Sequence, residues 1–240
     1  MADRCLDAIL FDIDDTLYSS TSFADLARTR AIEAMVSAGL RAEPARIRKL
    51  LQDIIGEYSS NFPYQFDELL SRLNPETYRP VSRAVIVASA VVAYHDTKFK
   101  ELQPFEDVPE VLVRLKARGA CLGVVSHGIP IKQSEKLVRL KLLDSFEPGW
   151  VFITEEMEMS KDEPRFWREV ARRAGVASER AAYVGDHPVN DVDTPNAVGM
   201  VTFLVKRGGK YSSLEPRTPP RHEITNFREL DSILREEYGV

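Results

Sequence analysis

Five short apolar segments, separated by stretches of helical periodicity, constrain the fold of this chain more than any other feature. The first ends in carboxylates, and the other four have four to six residues bounded by Gly, Pro, Ser or Asp. Runs of this kind are typical of strands that are buried on both faces. Because strands that alternate with helices are joined by right-handed crossovers, they predict a doubly wound α/β fold with a parallel sheet. The segments are residues 7–14, 120–125, 150–154, 181–184 and 200–205.

The helical stretches are recognised by the spacing of their apolar residues. Between the first two predicted strands, Val108, Val111, Leu112 and Leu115 recur at i, i+3, i+4 and i+7, and Gly119 follows as a C-terminal cap. A helix that ends there leads directly into the second strand. In a sheet built this way, ligands bind beyond the carboxyl ends of the strands.

One long stretch, residues 19–101, shows helical periodicity without a strand. In its clearest part, Pro44 suits a first helical turn, and Ile47, Leu51 and Ile54 lie on one apolar stripe. We therefore expect an all-helical cap domain at 19–101, inserted into a core formed by residues 1–18 and 102–240. Helices are predicted within the insertion over residues 22–38, 44–56, 66–73 and 81–94.

Composition excludes several classes of protein. The 240 residues carry 32 basic and 37 acidic side chains, a net charge of −5, so the chain offers no basic face for a nucleic-acid backbone. Its two cysteines cannot form a disulfide framework and suit the reducing cytoplasm. The longest uncharged apolar stretch, residues 84–94, is shorter than the roughly 18 residues of a membrane span. The charged N-terminus also lacks the apolar middle of a secretory signal, so we expect a cytoplasmic protein.

Acidic residues end the first predicted strand. Asp12 and Asp14 stand at alternate positions there, and taken alone they fit a solvated acidic turn as well as an active site. Three later strands are also followed by polar groups suited to phosphate chemistry. Because parallel topology collects the strand ends at one edge, we expect these groups to share a cavity. They are Ser126 after the second strand, Lys161 shortly after the third, and Asp186 with Asp191 after the fourth.

A pocket with several carboxylates needs a cation, because each ionised group disfavours ionisation of the others. Mg²⁺ is usually held by one or two carboxylates together with water and phosphate oxygens, which matches this supply of ligands. Zinc prefers histidine and cysteine, and the four histidines of the chain show no metal-binding helical spacing. The sequence therefore predicts a magnesium site.

A phosphate site is predicted after the second strand. Ser126 and His127 precede Pro130, which suits the first turn of a helix, so backbone N–H groups there would point at an anion. The alternative is that Ser126 is only a helix cap. Lys161 on its own would be a surface lysine, and only its place among the strand ends indicates a role at the site.

These residues resemble the four ordered motifs of the haloacid dehalogenase superfamily, in its phosphatase-type branch with a helical cap inserted after the first motif. The resemblance covers about residues 7–205. It implies a Rossmann-like core, a mobile cap and phosphoryl transfer through an aspartyl phosphate. The motifs are Asp-Ile-Asp-Asp-Thr at residues 12–16, Ser126, Lys161, and Gly-Asp-His-Pro-Val-Asn-Asp at residues 185–191.

The resemblance also implies a role for each motif residue. Asp12 would be the nucleophile, and Asp14 would protonate the leaving oxygen, then activate water. Lys161 would neutralise the phosphate and steady Asp12. Ser126 and the amide of His127 would hold phosphate oxygens. The metal ligands would be Asp12, the backbone carbonyl of Asp14, and Asp186, with Asp191 behind them or reaching the metal through water.

Two positions depart from the family pattern, and a third, Asp14, follows it and indicates the reaction class. His127 stands where the family often has Asn, and Asp162 stands where Pro commonly follows the motif lysine. These two departures bear on the prediction of the substrate more than on the prediction of the reaction class. Asp14 argues for phosphoryl chemistry, because true haloacid dehalogenases lack this second aspartate.

We therefore expect a Mg²⁺-dependent phosphatase acting on a small phosphorylated metabolite. A phosphomutase of the same family remains an alternative, and a requirement for a bisphosphate activator would reveal it. A phosphoaspartate-switched signalling module is a further alternative, although such domains are about half this length and have no helical insertion. Sugar phosphates, short acid phosphates, nucleotides and phosphoproteins all stay open as substrates, and oligomeric state is not readable from the sequence.

Overall fold

The computed structural model of the chain describes residues 5–240, so Asp3 and Arg4, part of the charged N-terminus, lie outside the described residues. Within that range six strands form one sheet in the order β3-β2-β1-β4-β5-β6, and every neighbouring pair is parallel. Helices flank the sheet, which confirms the predicted α/β fold. The strands are β1 (Ala8–Phe11), β2 (Leu122–Ser126), β3 (Val151–Ile153), β4 (Ala181–Gly185), β5 (Val201–Val205) and β6 (His222–Ile224).

The α-helices between the strands follow the apolar spacing of the sequence. Several begin with a proline in their first turn, where its missing N–H costs nothing. Within residues 5–240 no helix is both long and apolar enough to cross a bilayer. The helices are α1 (Ser20–Ser37), α2 (Pro44–Tyr58), α3 (Gln65–Ser71), α4 (Arg83–Glu101), α5 (Asp107–Ala117), α6 (Pro130–Leu140), α7 (Thr154–Met157), α8 (Pro164–Ala174), α9 (Thr194–Asn196) and α10 (Phe227–Tyr238).

Strand β1 lies at the centre of the sheet and positions the first acidic motif. All four of its residues are buried, because helices cover both faces. Ile9 pairs with Leu122 of β2 on one side and with Ala182 of β4 on the other. The carboxyl ends of β2, β1 and β4 therefore lie side by side at one edge, with Asp12 following the middle strand.

The chain folds into two compact units, one of Met1–Thr21 with Gln103–Val240 and one of Ser22–Leu102. The larger unit contains the sheet and an aromatic core in which the Trp167 ring lies 4.4 Å from the Tyr183 ring, centre to centre. The smaller unit is helical and has an apolar core of its own, to which Met35, Ile47 and Leu69 contribute.

Most element ends differ by a few residues from the sequence-based prediction, and the largest differences are at β6 and at the end of α4. Strand β6 was not predicted, because three residues are too few to show a periodic pattern and Pro219 and Pro220 stand just before it. Helix α4 continues to Glu101, whereas the prediction ended at Tyr94. The prediction was too short because the last turns of the helix are charged and depart from the apolar pattern. Cys5 is exposed and Cys121 half-buried, both with free thiols.

A buried ion pair joins three parts of the larger unit. Asp107, at the start of α5, accepts hydrogen bonds from both terminal nitrogens (Nη1 and Nη2) of Arg207 and a 2.6 Å hydrogen bond from the Phe227 amide of α10. The guanidinium also stacks 4.5 Å from the centre of the Phe105 ring. Burial alone would raise the pKa of Asp107, but the bonds from Arg207 and Phe227 hold it below its ordinary value.

We expect Asp107→Ala to destabilise the protein by about 3 kcal/mol, because it leaves a buried guanidinium without its partner. That loss corresponds to a Tm lower by roughly 6–12 °C. Since the folded pKa of Asp107 is depressed, its contribution is complete above about pH 4 and is lost as the pH falls through the folded value. The Tm difference from the native protein, measured by calorimetry, therefore narrows in acid, and equal Tm values at pH 7 would contradict the prediction. The exposed Asp144→Ala serves as control.

Candidate active site

Three carboxylates meet beyond the carboxyl ends of the central strands. Asp12 directly follows β1, Asp186 directly follows β4, and Asp191 lies in the helical turn Pro188–Asp193. One carboxylate oxygen of each lies within 4.8 Å of the others, and all three residues are buried. Parallel strand topology has thus brought together acids separated by about 170 positions in the sequence.

A single buried lysine lies among these acids. The Nζ atom of Lys161 is 2.7 Å from Asp191 Oδ1 and 3.1 Å from Asp12 Oδ1, and only 4% of the side chain is exposed. It also donates a 2.7 Å hydrogen bond to the hydroxyl of Tyr183, which in turn donates to the Val125 carbonyl. Among residues 5–240, one ammonium faces three carboxylates, which leaves an excess of negative charge here.

The backbone around Lys161 is fixed by the aromatic core. Its carbonyl accepts hydrogen bonds of 2.9 Å from the Trp167 indole and from the Thr194 hydroxyl. Trp167 is itself fully buried. The lysine therefore approaches the acids from a rigid support rather than from a mobile surface loop.

A glycine leaves the room that Asp191 occupies. A Cβ atom at Gly185 would lie 2.3 Å from Asp191 Oδ2, closer than non-bonded atoms can approach one another. The same oxygen accepts a 3.0 Å hydrogen bond from the His187 amide. The sequence Gly185-Asp186 is thus explained locally: the glycine admits one carboxylate while the next residue supplies another.

The crowding of negative charge shifts the acid strengths. Burial, together with the charges of Asp191 and Asp12, raises the pKa of Asp186 to about 9. Burial also raises the pKa of Asp12, and the nearby Lys161 only partly opposes the effect. For Lys161, burial alone would lower the pKa, but Asp12 and Asp191 raise it above its ordinary value.

The donor set fits Mg²⁺. Asp12, Asp186 and Asp191 offer oxygen atoms only, which hard cations prefer, and the excess negative charge is the kind that a divalent cation compensates. Lys161 forms ion pairs with Asp12 and Asp191. Among the residues that the structure describes, Asp186 is therefore the acid of this cluster without a cationic partner.

Asp14 lies in a separate set of contacts. Its carboxylate accepts bonds of 2.7 and 2.6 Å from Lys136 Nζ, 2.7 Å from the Tyr18 hydroxyl and 3.3 Å from Gln133 Nε2. Burial alone would raise the pKa of Asp14, but the ion pair with Lys136 and these hydrogen bonds hold it below its usual value. Sequence reasoning missed all three partners, because a single lysine, glutamine or tyrosine in a helix or turn carries no motif.

Ser126 and His127 follow the strand next to Asp12. Ser126 is the last residue of β2 and is buried, while His127 is exposed. The amide of Gly128 donates a 3.0 Å hydrogen bond to the hydroxyl of Thr154, which also lies 3.3 Å from His127 Nδ1. The turn that leads into α6 is therefore fixed to the end of β3.

The loop after β5 also reaches the first motif. Gly209 has a φ of +99°, and a Cβ atom there would lie 2.9 Å from the Asp15 carboxylate. The Tyr211 ring lies 4.1 Å from the His187 ring, centre to centre. Gly209 is the sequence signal for this contact, since its positive φ and missing side chain permit the close approach.

Comparison with known proteins identifies the family. A haloacid dehalogenase-like hydrolase profile matches residues 6–199. The chain belongs to that family. It is 44% identical over 234 residues to a glyceraldehyde 3-phosphate phosphatase of Methanopyrus kandleri, with 95% of this chain and 97% of the relative covered. It is 38% identical over 238 residues to the protein of the same name from Pyrococcus furiosus, with 98% and 96% covered.

A solved structure shows the same fold. The haloacid dehalogenase phosphatase of Thermococcus onnurineus superimposes with a TM-score of 0.66 at 24% identity, covering 95% of this chain and 98% of that one. Family membership and the relatives above confirm the predicted class, a phosphatase that hydrolyses a small phosphorylated metabolite.

We expect the metal-free protein to lose stability as the pH rises from about 4 towards 9. The native state holds protons on Asp12 and Asp186, whose pKa values are raised, while the unfolded chain releases those protons near pH 4. The Tm after treatment with a chelator should therefore be lower at pH 9 than at about pH 6, and Mg²⁺ should raise it at pH 9.

The variant Asp186→Asn tests the assignment, because it removes the group with the larger shift and should flatten the dependence of Tm on pH. The exposed Asp144→Asn should keep the native slope. A chelated native protein whose Tm rises between pH 6 and pH 9 would contradict the prediction.

Proposed function

We propose that this chain is a Mg²⁺-dependent phosphatase of glyceraldehyde 3-phosphate, and that it acts through a phosphorylated Asp12. The observation that carries the mechanism is the buried contact of Asp12 with Lys161 beside two further carboxylates. The substrate is suggested by the relatives of that name, which are similar to this chain over nearly its whole length.

In the first step a carboxylate oxygen of Asp12 attacks phosphorus, and a new O–P bond forms. The ester P–O bond breaks, and its electron pair goes to the leaving oxygen, which receives the proton of Asp14. The products are glyceraldehyde and the aspartyl phosphate. Covalent catalysis of this kind divides one difficult displacement into two easier ones.

In the second step water attacks the same phosphorus and gives a proton to the Asp14 carboxylate. The bond between phosphorus and the Asp12 oxygen breaks, which releases inorganic phosphate and restores both aspartates. Asp14 thus serves as acid and then as base.

Fixed positive charge and hydrogen-bond donors stabilise the transferring group. Lys161 would neutralise phosphate oxygens, and Ser126 with the amide of His127 would bind others. Several such groups are needed, because hydrolysis of a phosphate monoester requires acceleration by up to about 10²¹-fold. One acid–base group supplies only about 10²- to 10⁴-fold.

Asp12, Asp186 and the main-chain carbonyl of Asp14 would hold the metal, with Asp191 behind them. When bound, Mg²⁺ supplies positive charge to the phosphate oxygens and lets the clustered acids ionise together. The all-oxygen donor set and its uncompensated charge support this assignment.

We assign the helical unit Ser22–Leu102 the role of a cap that selects the organic part of the substrate. Arg72 is unsuited to that task, since its guanidinium binds Glu57 and Glu68. Tyr94 packs edge-on against Phe66 and belongs to the core of the unit. Other polar or aromatic residues of this unit that could contact a substrate are Tyr58, Tyr64 and His95. Free thiols suit the cytoplasm as the site of action.

Phosphate release from glyceraldehyde 3-phosphate tests the proposal. We expect turnover that requires Mg²⁺, and Asp12→Asn should lower kcat by about 10⁴-fold or more, as loss of a nucleophile does. The exposed Asp144→Asn is the matched control and should retain native turnover. Native and Asp12→Asn proteins of equal activity would overturn the mechanism.

A panel of phosphate esters tests the substrate. We expect kcat/KM for glyceraldehyde 3-phosphate to exceed the values for phosphoserine, a hexose phosphate and a nucleotide by at least about tenfold, a difference of roughly 1.4 kcal/mol in transition-state binding. A higher kcat/KM for any of the other three esters would support phosphatase activity but identify a different substrate.

A further inference from the structure

The loop between β5 and β6, residues 206–221, borders the candidate active site and has no part in the mechanism above. It belongs to the larger unit, as the carboxylate cluster does. Gly209 lies against the Asp15 carboxylate of the first motif, and Tyr211 packs its ring on His187 of the fourth motif. The loop therefore contacts both segments that supply acids to the cluster.

Both ends of this loop are fixed. Just before its tip, Arg207 is held in the buried ion pair with Asp107. After the tip, Asp193 accepts hydrogen bonds from the amides of Arg217 and Thr218, at 3.1 and 2.7 Å. A segment that is held at both ends loses little freedom when it binds a ligand, so its tip is suited to recognition.

Two hydrogen bonds close the turn at the tip of the loop. The Ser212 hydroxyl donates to the Gly209 carbonyl at 3.0 Å. The Leu214 amide donates to the Tyr211 carbonyl, also at 3.0 Å. The surface below the turn is fixed as well, because His187 Nδ1 accepts hydrogen bonds from the amides two and three positions after it. The ring on which Tyr211 packs is therefore held in place.

The tip presents two hydrogen-bond donors that the protein does not use. Lys210 is exposed and holds its ammonium 5.0 Å from the centre of the Tyr211 ring. Among residues 5–240, neither this ammonium nor the Tyr211 hydroxyl has a hydrogen-bond or ion-pair partner. The preceding Lys206 and Arg207 each pair with a carboxylate, in a chain that has more acids than bases. A shortage of acids therefore does not explain the unpaired lysine.

Depth in the site indicates what these donors meet. Asp12 and Lys161, which contact the phosphate in the proposed mechanism, have only 9% and 4% of their side chains exposed. Tyr211 is half-buried and Lys210 exposed. Because phosphorus has to reach the buried Asp12, the organic part of the substrate extends towards the exposed border where the loop lies. Ammonium and phenol groups donate to oxygen acceptors, and glyceraldehyde 3-phosphate has an aldehyde and a hydroxyl oxygen in that part.

We propose that Lys210 and Tyr211 are specificity-determining residues, which donate hydrogen bonds to oxygen atoms in the organic part of the substrate. The inference deepens the proposed function and rests on it. No covalent bond forms or breaks at either residue. The larger unit thereby shares the selection of the substrate with the helical unit, while phosphoryl transfer stays with Asp12.

Removing either donor should weaken substrate binding rather than the chemical step. We expect Lys210→Met to raise the KM for glyceraldehyde 3-phosphate about tenfold or more, because it removes a hydrogen bond from a charged group. Tyr211→Phe keeps the ring on His187 and should raise KM about threefold or more, since a neutral hydrogen bond contributes less. In both variants kcat should stay near the native value, because these bonds form equally in the ground state and the transition state. Steady-state kinetics with Mg²⁺ measure both constants.

An ester without those oxygens separates recognition from a structural defect. n-Propyl phosphate has the same phosphate on a three-carbon chain, but neither the aldehyde nor the hydroxyl. Both variants should keep the native kcat/KM for this ester. If its turnover is too slow to measure, its inhibition constant against glyceraldehyde 3-phosphate should be unchanged. Lys116→Met, on the exposed side of α5, is the matched control and should behave like the native protein with both esters.

Other outcomes overturn the proposal. Equal losses with both esters would show a general defect of charge or folding, and an unchanged KM for glyceraldehyde 3-phosphate would show that the loop has no role. If the native protein releases phosphate from neither ester, the proposed function fails and the selection by the loop with it. If the native protein is active and Asp12→Asn inactive while both loop variants keep the native KM, the function stands and only the role of the loop falls.

Discussion

The candidate active site depends on the buried ammonium of Lys161. Removing a lone ammonium from water costs several kcal/mol, and Lys161 is accommodated because Asp12 and Asp191 both lie within 3.1 Å of it. The dependence is mutual, since those two acids and Asp186 lie too close together to be ionised without positive charge. The surrounding fold therefore has to hold charges in place that attract and repel one another at short range.

The sheet and its aromatic core supply that rigidity. Asp12 follows a strand that is buried on both faces and paired on both sides, so its backbone has little freedom. Trp167 hydrogen-bonds to the carbonyl of Lys161, and Tyr183 accepts a hydrogen bond from its ammonium, so both ends of the residue are fixed. Strand ends held by close packing position side chains more accurately than a loop does, so the sheet of the larger unit is well suited to hold the proposed reacting groups.

Much of this arrangement can be predicted from the sequence, because the strands that bring distant residues together have recognisable local sequence patterns. Buried strands appear as apolar runs, and the acids that follow them are marked by position, which predicts Asp12 and Asp186 at one edge. Strand β6 has too few residues for a period, and its pairing with β5 is decided by tertiary structure. Lys136 and Gln133 are equally silent, since their partner Asp14 lies about 120 positions away and only packing of α6 brings them together.

The two aspartates of the first motif are distinguished by their partners. Asp12 and Lys161 are almost wholly buried, with 9% and 4% of their side chains exposed, whereas the corresponding values for Asp14 and Lys136 are 33% and 20%. A buried carboxylate that keeps a fixed partner suits a nucleophile, which must stay in one place. A carboxylate nearer the solvent can exchange a proton with water or with a leaving group. One short sequence, Asp-Ile-Asp, thus supplies two different chemical groups because each aspartate meets a different lysine in a different environment.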